Sequence, residues 1–250
     1  MRDKVALVTG GASGIGSATT TALARQGTRV LLCDIDAAGG VRGAEAITAQ
    51  GGVASFFHLD VTEPDHHLLA VEQATRLYGG LDMAVNCAGI SVGPSKIQHP
   101  IHQTDVQDWL QIFNVNVNGM FYGVQAQVPA MIARGGGSIV NVGSVMSVVA
   151  RRQLSPYVAS KHAVLGLTRA AALDCAPHNI RVNSVGPGYV DTPLLAQKDE
   201  QTRRAYAELH PLNRMATAQE VAETILWLCS DSSSFSTGAH YAVDGGYTVQ

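Results

Sequence analysis

The sequence predicts an α/β fold: a doubly wound sheet of seven parallel strands with helices on both faces, in a single domain. Three observations carry this. Short β-rich runs alternate with longer stretches of helical spacing along all 250 residues. Most of the short runs are continuously apolar, as strands covered on both faces are. No linker, repeat or low-complexity tract interrupts the pattern, and such alternation builds βαβ units on one sheet.

The elements follow in order. A strand at Val5–Thr9 runs into a glycine-rich turn and a helix over Ser17–Gln26. The next pairs are Arg29–Cys33 with Ala37–Gln50, and Val53–His58 with Asp65–Tyr78. The fourth strand, Leu81–Asn86, precedes one long helical stretch, Asp105–Ala133. Ser138–Val142 leads to a helix over Pro156–Ala176, and Ile180–Val185 follows. The segment 187–215 begins with Pro-Gly and is too long for a plain connection, so it reads as a loop-and-helix excursion over the sheet edge. Val221, Ile225 and Leu228 recur at helical spacing in Ala218–Cys229, and His240–Val243 closes the sheet.

Composition narrows the function classes. Charged residues make up 15%, against about 25% in a typical domain, so part of the exterior is expected to lie against other subunits. A net charge of −3 argues against a nucleic-acid surface. No apolar run approaches the ~20 residues of a membrane span, and the first residues show no signal-peptide pattern; a cytoplasmic protein is expected. Cys33, Cys87, Cys175 and Cys229 form no CxxC pair and read as reduced, packed thiols. His66 and His67 point in different directions on a helix, so no metal site is expected.

Chemistry begins at Gly10-Gly11-Ala12-Ser13-Gly14-Ile15-Gly16, between the first strand and its helix. Glycines there let the backbone turn sharply and approach a pyrophosphate at a helix N-terminus. Asp34 ends the second strand 18 residues after Gly16, where a carboxylate accepts hydrogen bonds from an adenosine ribose. It would repel a 2′-phosphate, and neither the turn nor Ile35 offers a compensating base, so NAD is expected rather than NADP. A plain tight turn and an ordinary strand-end aspartate are the bland alternatives.

These residues resemble the short-chain dehydrogenase/reductase family in its compact single-domain, Rossmann-like form, and the likeness runs over almost the whole chain. It implies adenine contacts at Asp60 and Val61, and cofactor contacts at Asn86, Ala88 and Gly89 in Asn86-Cys87-Ala88-Gly89. It also implies a catalytic tetrad of Asn116, Ser144, Tyr157 and Lys161. Pro187, Gly188, Val190 and Thr192 would bracket the nicotinamide. Two positions depart from the family pattern: Cys87 replaces an Asn, and Gly143 a Ser. The resemblance further implies a homotetramer built partly on the Pro156–Ala176 helix.

The tetrad also reads from its own chemistry. Tyr157 and Lys161 are four apart and share a helix face. A free tyrosine has a pKa of about 10, and a nearby ammonium favours the phenolate, making a proton acceptor for an alcohol or a donor to a ketone. Ser144, at a strand end, can converge on the same edge. Asn114, Asn116 and Asn118 fall in one helix, and the resemblance singles out Asn116 as the holder of a water linking Lys161 to solvent. No Gly-x-Ser-x-Gly surrounds Ser144, which argues against a serine hydrolase using Asp174 and His178.

The substrate pocket is expected between the Ser91–Ile97 loop, the Val145–Leu154 segment and the excursion. Its inward candidates are Val92, Val145, Met146, Leu154, Tyr189, Leu194 and Leu195, a mostly apolar wall suited to a neutral secondary alcohol or ketone. Arg151 and Arg152 allow a different reading, a clamp for a carboxylate; a solvated or subunit-contact pair is the blander one. The reaction expected is reversible NAD-dependent hydride transfer between a secondary alcohol and its ketone. A 3-oxoacyl-(acyl-carrier-protein) reductase and a non-catalytic NAD-sensing regulator are the alternatives.

Overall fold

The computed structural model describes residues 1–196 and 198–250, the side chain of Leu194 excepted. Nine strands and nine α-helices occur among the described residues. The strands are β1 (Val5–Thr9), β2 (Arg29–Asp34), β3 (Val53–His58), β4 (Met83–Asn86), β5 (Gly137–Val142), β6 (Ile180–Pro187), β7 (Val190–Asp191), β8 (Ala216–Thr217) and β9 (His240–Val243). The helices are α1 (Gly14–Arg25), α2 (Ala37–Ala49), α3 (Pro64–Tyr78), α4 (Val106–Phe113), α5 (Gly119–Arg134), α6 (Ser155–Cys175), α7 (Pro193–Ala196), α8 (Glu200–Glu208) and α9 (Ala218–Cys229).

Seven strands make one parallel sheet in the order β3-β2-β1-β4-β5-β6-β9. Its apolar runs are buried on both faces. On one side Leu7, Leu31, Ile139 and Val182 pack with Ala74, Met131 and Ala171 from α3, α5 and α6. On the other, Val8, Val30, Val140 and Val185 pack with Leu23, Ile47 and Ile225 from α1, α2 and α9. The chain leaves β1 toward β2 and returns on β1's other side with β4. That reversal opens a crevice at the C-terminal ends of β1 and β4, the usual ligand position in such sheets.

Several boundaries differ from the sequence expectation. Helix α1 starts at Gly14 rather than Ser17, because Ser13 is the extended residue (φ −148°) before it and the turn itself enters the helix. Strand β4 starts at Met83, and just before it the Asp82 carboxylate accepts the Val5 amide (2.8 Å) and the Arg134 guanidinium (3.1 Å). The expected helix over Asp105–Ala133 is α4 and α5 joined by a π-helical turn at Asn114–Asn118. Beyond the main sheet, β7 and β8 form a separate parallel pair that ties both ends of the excursion and its helices α7 and α8 to each other.

Candidate active site

The glycine turn lies against the end of β4. Gly10 has φ +66°, and a Cβ there would sit 2.8 Å from the Ala88 nitrogen. A Cβ on Gly16 would run into the Gly10 carbonyl oxygen, so this approach of helix to turn requires glycine. Thr9 Oγ1 accepts the Cys87 and Ala88 amides at 3.2 and 3.4 Å, locking the two strand ends together. A Cβ on Gly14 (φ +52°) would lie 3.3 Å from Thr192 Cγ2, and one on Gly89 would lie 3.5 Å from Lys161 Nζ. Gly14 thus faces Thr192 and Gly89 faces Lys161, and glycine backbone opening a helix is the kind of surface that admits a pyrophosphate.

Asp34 stands at the end of β2, beside the glycine turn. Its Oδ2 accepts the Ala12 amide (2.9 Å) and its Oδ1 the Asp36 amide (3.0 Å). The turn thus holds the carboxylate in place while each oxygen keeps a further acceptor site. Ile35 beside it is exposed. Asp60 accepts both the amide (2.9 Å) and hydroxyl (2.7 Å) of Thr62. Burial works against its charge, but those bonds with His66 and His58 nearby hold the carboxyl below its ordinary range. Val61 packs on Gly119, and its carbonyl lies 3.1 Å from His67 Nε2. The donors and glycines present fit a dinucleotide.

Asn86 departs from its expected role. Its side chain turns into the core, bonded to Gln127 (2.8 and 3.2 Å) and Asn141 (2.9 Å). Asn141 passes the network on to Thr168 at 3.0 Å, so these amides satisfy one another instead of a ligand. Cys87, at the family's Asn position, is a thiol pushed up to about 12 by burial, and stays protonated at neutral pH.

The four tetrad candidates converge above β4, β5 and β6. The π turn faces Asn116 inward, fully buried. Its Nδ2 donates to the Ile90 carbonyl (2.9 Å) and Ser160 Oγ (3.0 Å), while Oδ1 accepts the Ile90 amide (2.8 Å). Both of its amide hydrogens are committed, so only Oδ1 has hydrogen-bonding capacity left on that side chain. Ser160 in turn donates to the Tyr157 carbonyl at 2.8 Å. Sequence reading passed over Ser160 although it stands inside Tyr157-Val-Ala-Ser-Lys161. Ser144 heads a short 3₁₀ turn (Val145–Ser147), its Oγ accepting the Met146 amide while its own amide donates to Ser147 Oγ, both at 3.2 Å. A Cβ on Gly143 would lie 2.8 Å from the Ser147 hydroxyl, so a side chain there would displace the oxygen that accepts the Ser144 amide.

Lys161 Nζ donates to the Val142 carbonyl (2.9 Å) and lies 5.7 Å from the Tyr157 ring centre. Burial lowers its pKa to about 8. The Tyr157 ring is part-exposed but its hydroxyl is enclosed, and burial pushes the phenol up, with the Ser144 hydroxyl pulling the other way. The expected depression by Lys161 is therefore reversed here. Removing water costs the phenolate more than an ammonium directed at Val142 returns.

Beside Tyr157, a cavity is bounded by the 91–99 loop, α4 and residues 153–157. Val92 and Leu154 line it as expected, but so do Thr104, Asp108, His99 and Gln153, making the wall mixed rather than mostly apolar. The polar part was missed because α4 enters the wall at its N-terminus, where Asp105 caps the helix and Asp108 holds Ser95 of the loop. Val145 and Met146 are instead buried in the 3₁₀ turn. Leu195 is half-buried on α7, and the Leu194 side chain lies outside the described residues. Pro187 and Val190 are buried, and Gly188 lies against His210. Tyr189 stacks on Tyr206 (4.3 Å), an aromatic partner four residues before His210 on the excursion. A larger groove between the C-terminal ends of α1 and α2 lies at the far edge of the sheet from these residues.

Known proteins resemble this chain over nearly its whole length. Residues 10–248 match the family described as Enoyl-(Acyl carrier protein) reductase. The chain is 41% identical over 246 residues to a cyclohexanol dehydrogenase of Acinetobacter sp. (strain SE19), covering 98% of this chain and 95% of that one. It is 41% identical over 253 residues to a trans-4-hydroxycyclohexanecarboxylate dehydrogenase of Sinomonas cyclohexanicum, covering 99% and 93%. The solved structure of gox2181 superposes with a TM-score of 0.95 at 35% identity, covering 100% of this chain and 97% of the other.

Proposed function

The chain belongs to the short-chain dehydrogenase/reductase family, and from that premise we propose that it interconverts a cyclic secondary alcohol and its ketone with NAD. That it is an oxidoreductase of secondary alcohols agrees with relatives named for cyclohexanol and hydroxycyclohexanecarboxylate over nearly their full length. The observation that carries the site reading is the convergence of Ser144, Tyr157 and Lys161, with Gly89 of the segment packed on the glycine turn facing Lys161.

Gly10, Ser13, Gly14, Ile15 and Gly16 would hold the pyrophosphate, and Asp34 and Ile35 the adenosine ribose. Asp60 and Val61 would take the adenine, with Ala88, Gly89, Lys161 and Pro187–Thr192 on the nicotinamide side. NAD, when bound, supplies the hydride acceptor. Ser144 donates a hydrogen bond to the substrate oxygen, and Tyr157 exchanges the hydroxyl proton with it. Lys161 holds the ribose and passes the proton onward toward Asn116. The raised Tyr157 pKa keeps the phenol protonated at neutral pH, ready to donate to a ketone oxygen, and the phenolate that oxidation calls on becomes more populated as pH rises. Asp34 supports NAD over NADP by the charge argument above. Homotetramer and cytoplasmic location belong to the same proposal, the first supported by the open small-residue face of α6; among the described residues no helix is long and apolar enough to cross a membrane.

The test is a steady-state assay of purified protein with NAD or NADP and a panel including cyclohexanol and cyclohexanone. NAD-dependent turnover is expected, with Tyr157→Phe losing more than about a thousandfold in kcat while still binding NAD. A Phe variant retaining a few per cent of the rate, or equal efficiency with NADP, would overturn the respective assignment.

A further inference from the structure

We infer that Arg151 is a specificity-determining residue that receives a carboxylate on the substrate ring, so that the preferred substrate is an anionic cyclic hydroxy acid; this rests on the alcohol-dehydrogenase reading above. The Arg151 guanidinium lies beside the edges of the stacked Tyr189 and Tyr206 rings, 5.7 Å from each centre. Its Nη1 donates to the Tyr189 hydroxyl. Tyr189 is itself rigidly set: parallel to Tyr206 (11°), edge-on to His210 (5.9 Å, 90°), with its amide on His210 Nε2 at 3.1 Å.

No carboxylate pairs with Arg151 among the described residues. Nε and Nη2 likewise make no hydrogen bond there, which leaves one edge of the fork for a planar anion. Arg151 is exposed and lies outside the cavity's lining, but its segment runs directly into that wall. Gln153 and Leu154, two and three residues on, line the cavity with Tyr157, and Tyr189 sits between Gly188 and Val190. Asp108, a carboxylate in that cavity wall, is turned onto Ser95 by two bonds. A ring carbinol at Ser144 and Tyr157 would then present its far substituent toward the segment bridge that Arg151 makes.

Two readouts test this with wild type, Arg151→Ala and Arg151→Lys. Calorimetry measures binding of cyclohexanecarboxylate, which has no hydroxyl to oxidise, and of cyclohexanol to protein saturated with NAD. The carboxylate is expected to bind about tenfold or more weaker to the Ala variant, with cyclohexanol much less affected. In turnover, the ratio of kcat/KM for 4-hydroxycyclohexanecarboxylate over cyclohexanol should fall about 30-fold in Arg151→Ala. The loss should lie mainly in KM, and Lys should restore part of it. Equal losses on both alcohols, which a mere latch between two segments would produce, would overturn the inference, as would unchanged carboxylate binding. If wild type oxidises no alcohol, the function proposal fails while the binding arm still decides Arg151.

Discussion

Lys161 shows how a buried charge is kept for use at a cost to the fold. An unfolded lysine titrates near 10.5, and burial lowers this one to about 8. Below pH 8 the folded chain therefore carries an ammonium it would rather release. The penalty is of order 3 kcal/mol at neutral pH, and it fades as pH rises from about 8 toward 10.5, where both states lose the proton. Lys161→Met should accordingly raise the urea midpoint at pH 7, by a margin that shrinks at pH 10. A variant less stable than wild type at pH 7, with no pH-dependent gap, would refute the cause. Lys161 and Tyr157 are legible in the sequence because four-residue spacing places them on one face. The direction of the tyrosine shift was not, because it depends on how much water the surrounding loops exclude.

At the scale of elements, the glycine turn and the π turn do opposite things with backbone. The turn before α1 removes side chains so that the helix start approaches β1 and β4. Gly16 is the strictest position, its Cβ direction being filled by the Gly10 carbonyl oxygen. Gly16→Ala should weaken NAD binding at least about tenfold and lower the thermal midpoint, because backbone, unlike a flexible side chain, cannot yield. Unchanged affinity in a fluorescence titration would show that the close approach is not what the cofactor needs. The π turn instead adds a residue to a helical turn, rotating Asn116 onto Ile90 and Ser160. Periodicity shows the helix but not the bulge, since the amides at 114, 116 and 118 look equivalent until a neighbouring loop selects one.

Over the whole molecule, the face of α6 opposite the sheet is unusually bare. Gly166 has open space where a Cβ would stand, Gly166 and Ala170 are exposed, and Ala159 and Ala163 are half-buried. With Phe121 and Ile132 exposed on neighbouring α5, this face suits a second copy of the chain approaching closely. Gly166→Leu should then reduce the light-scattering mass while leaving the circular-dichroism spectrum of the helices intact; a single-chain mass for the wild type would remove the premise. The sequence by itself determined the strand–helix alternation, the glycine turn with Asp34, and the spacing of Ser144, Tyr157 and Lys161, because each is a local pattern that backbone geometry reads directly. Only the tertiary structure decided that Asn86 serves the core, that α4 contributes polar groups to the cavity, and that Arg151 lies beside Tyr189 and Tyr206. Those outcomes depend on which distant segments meet, and residues 38 apart in sequence, like Arg151 and Tyr189, carry no local signal of their contact.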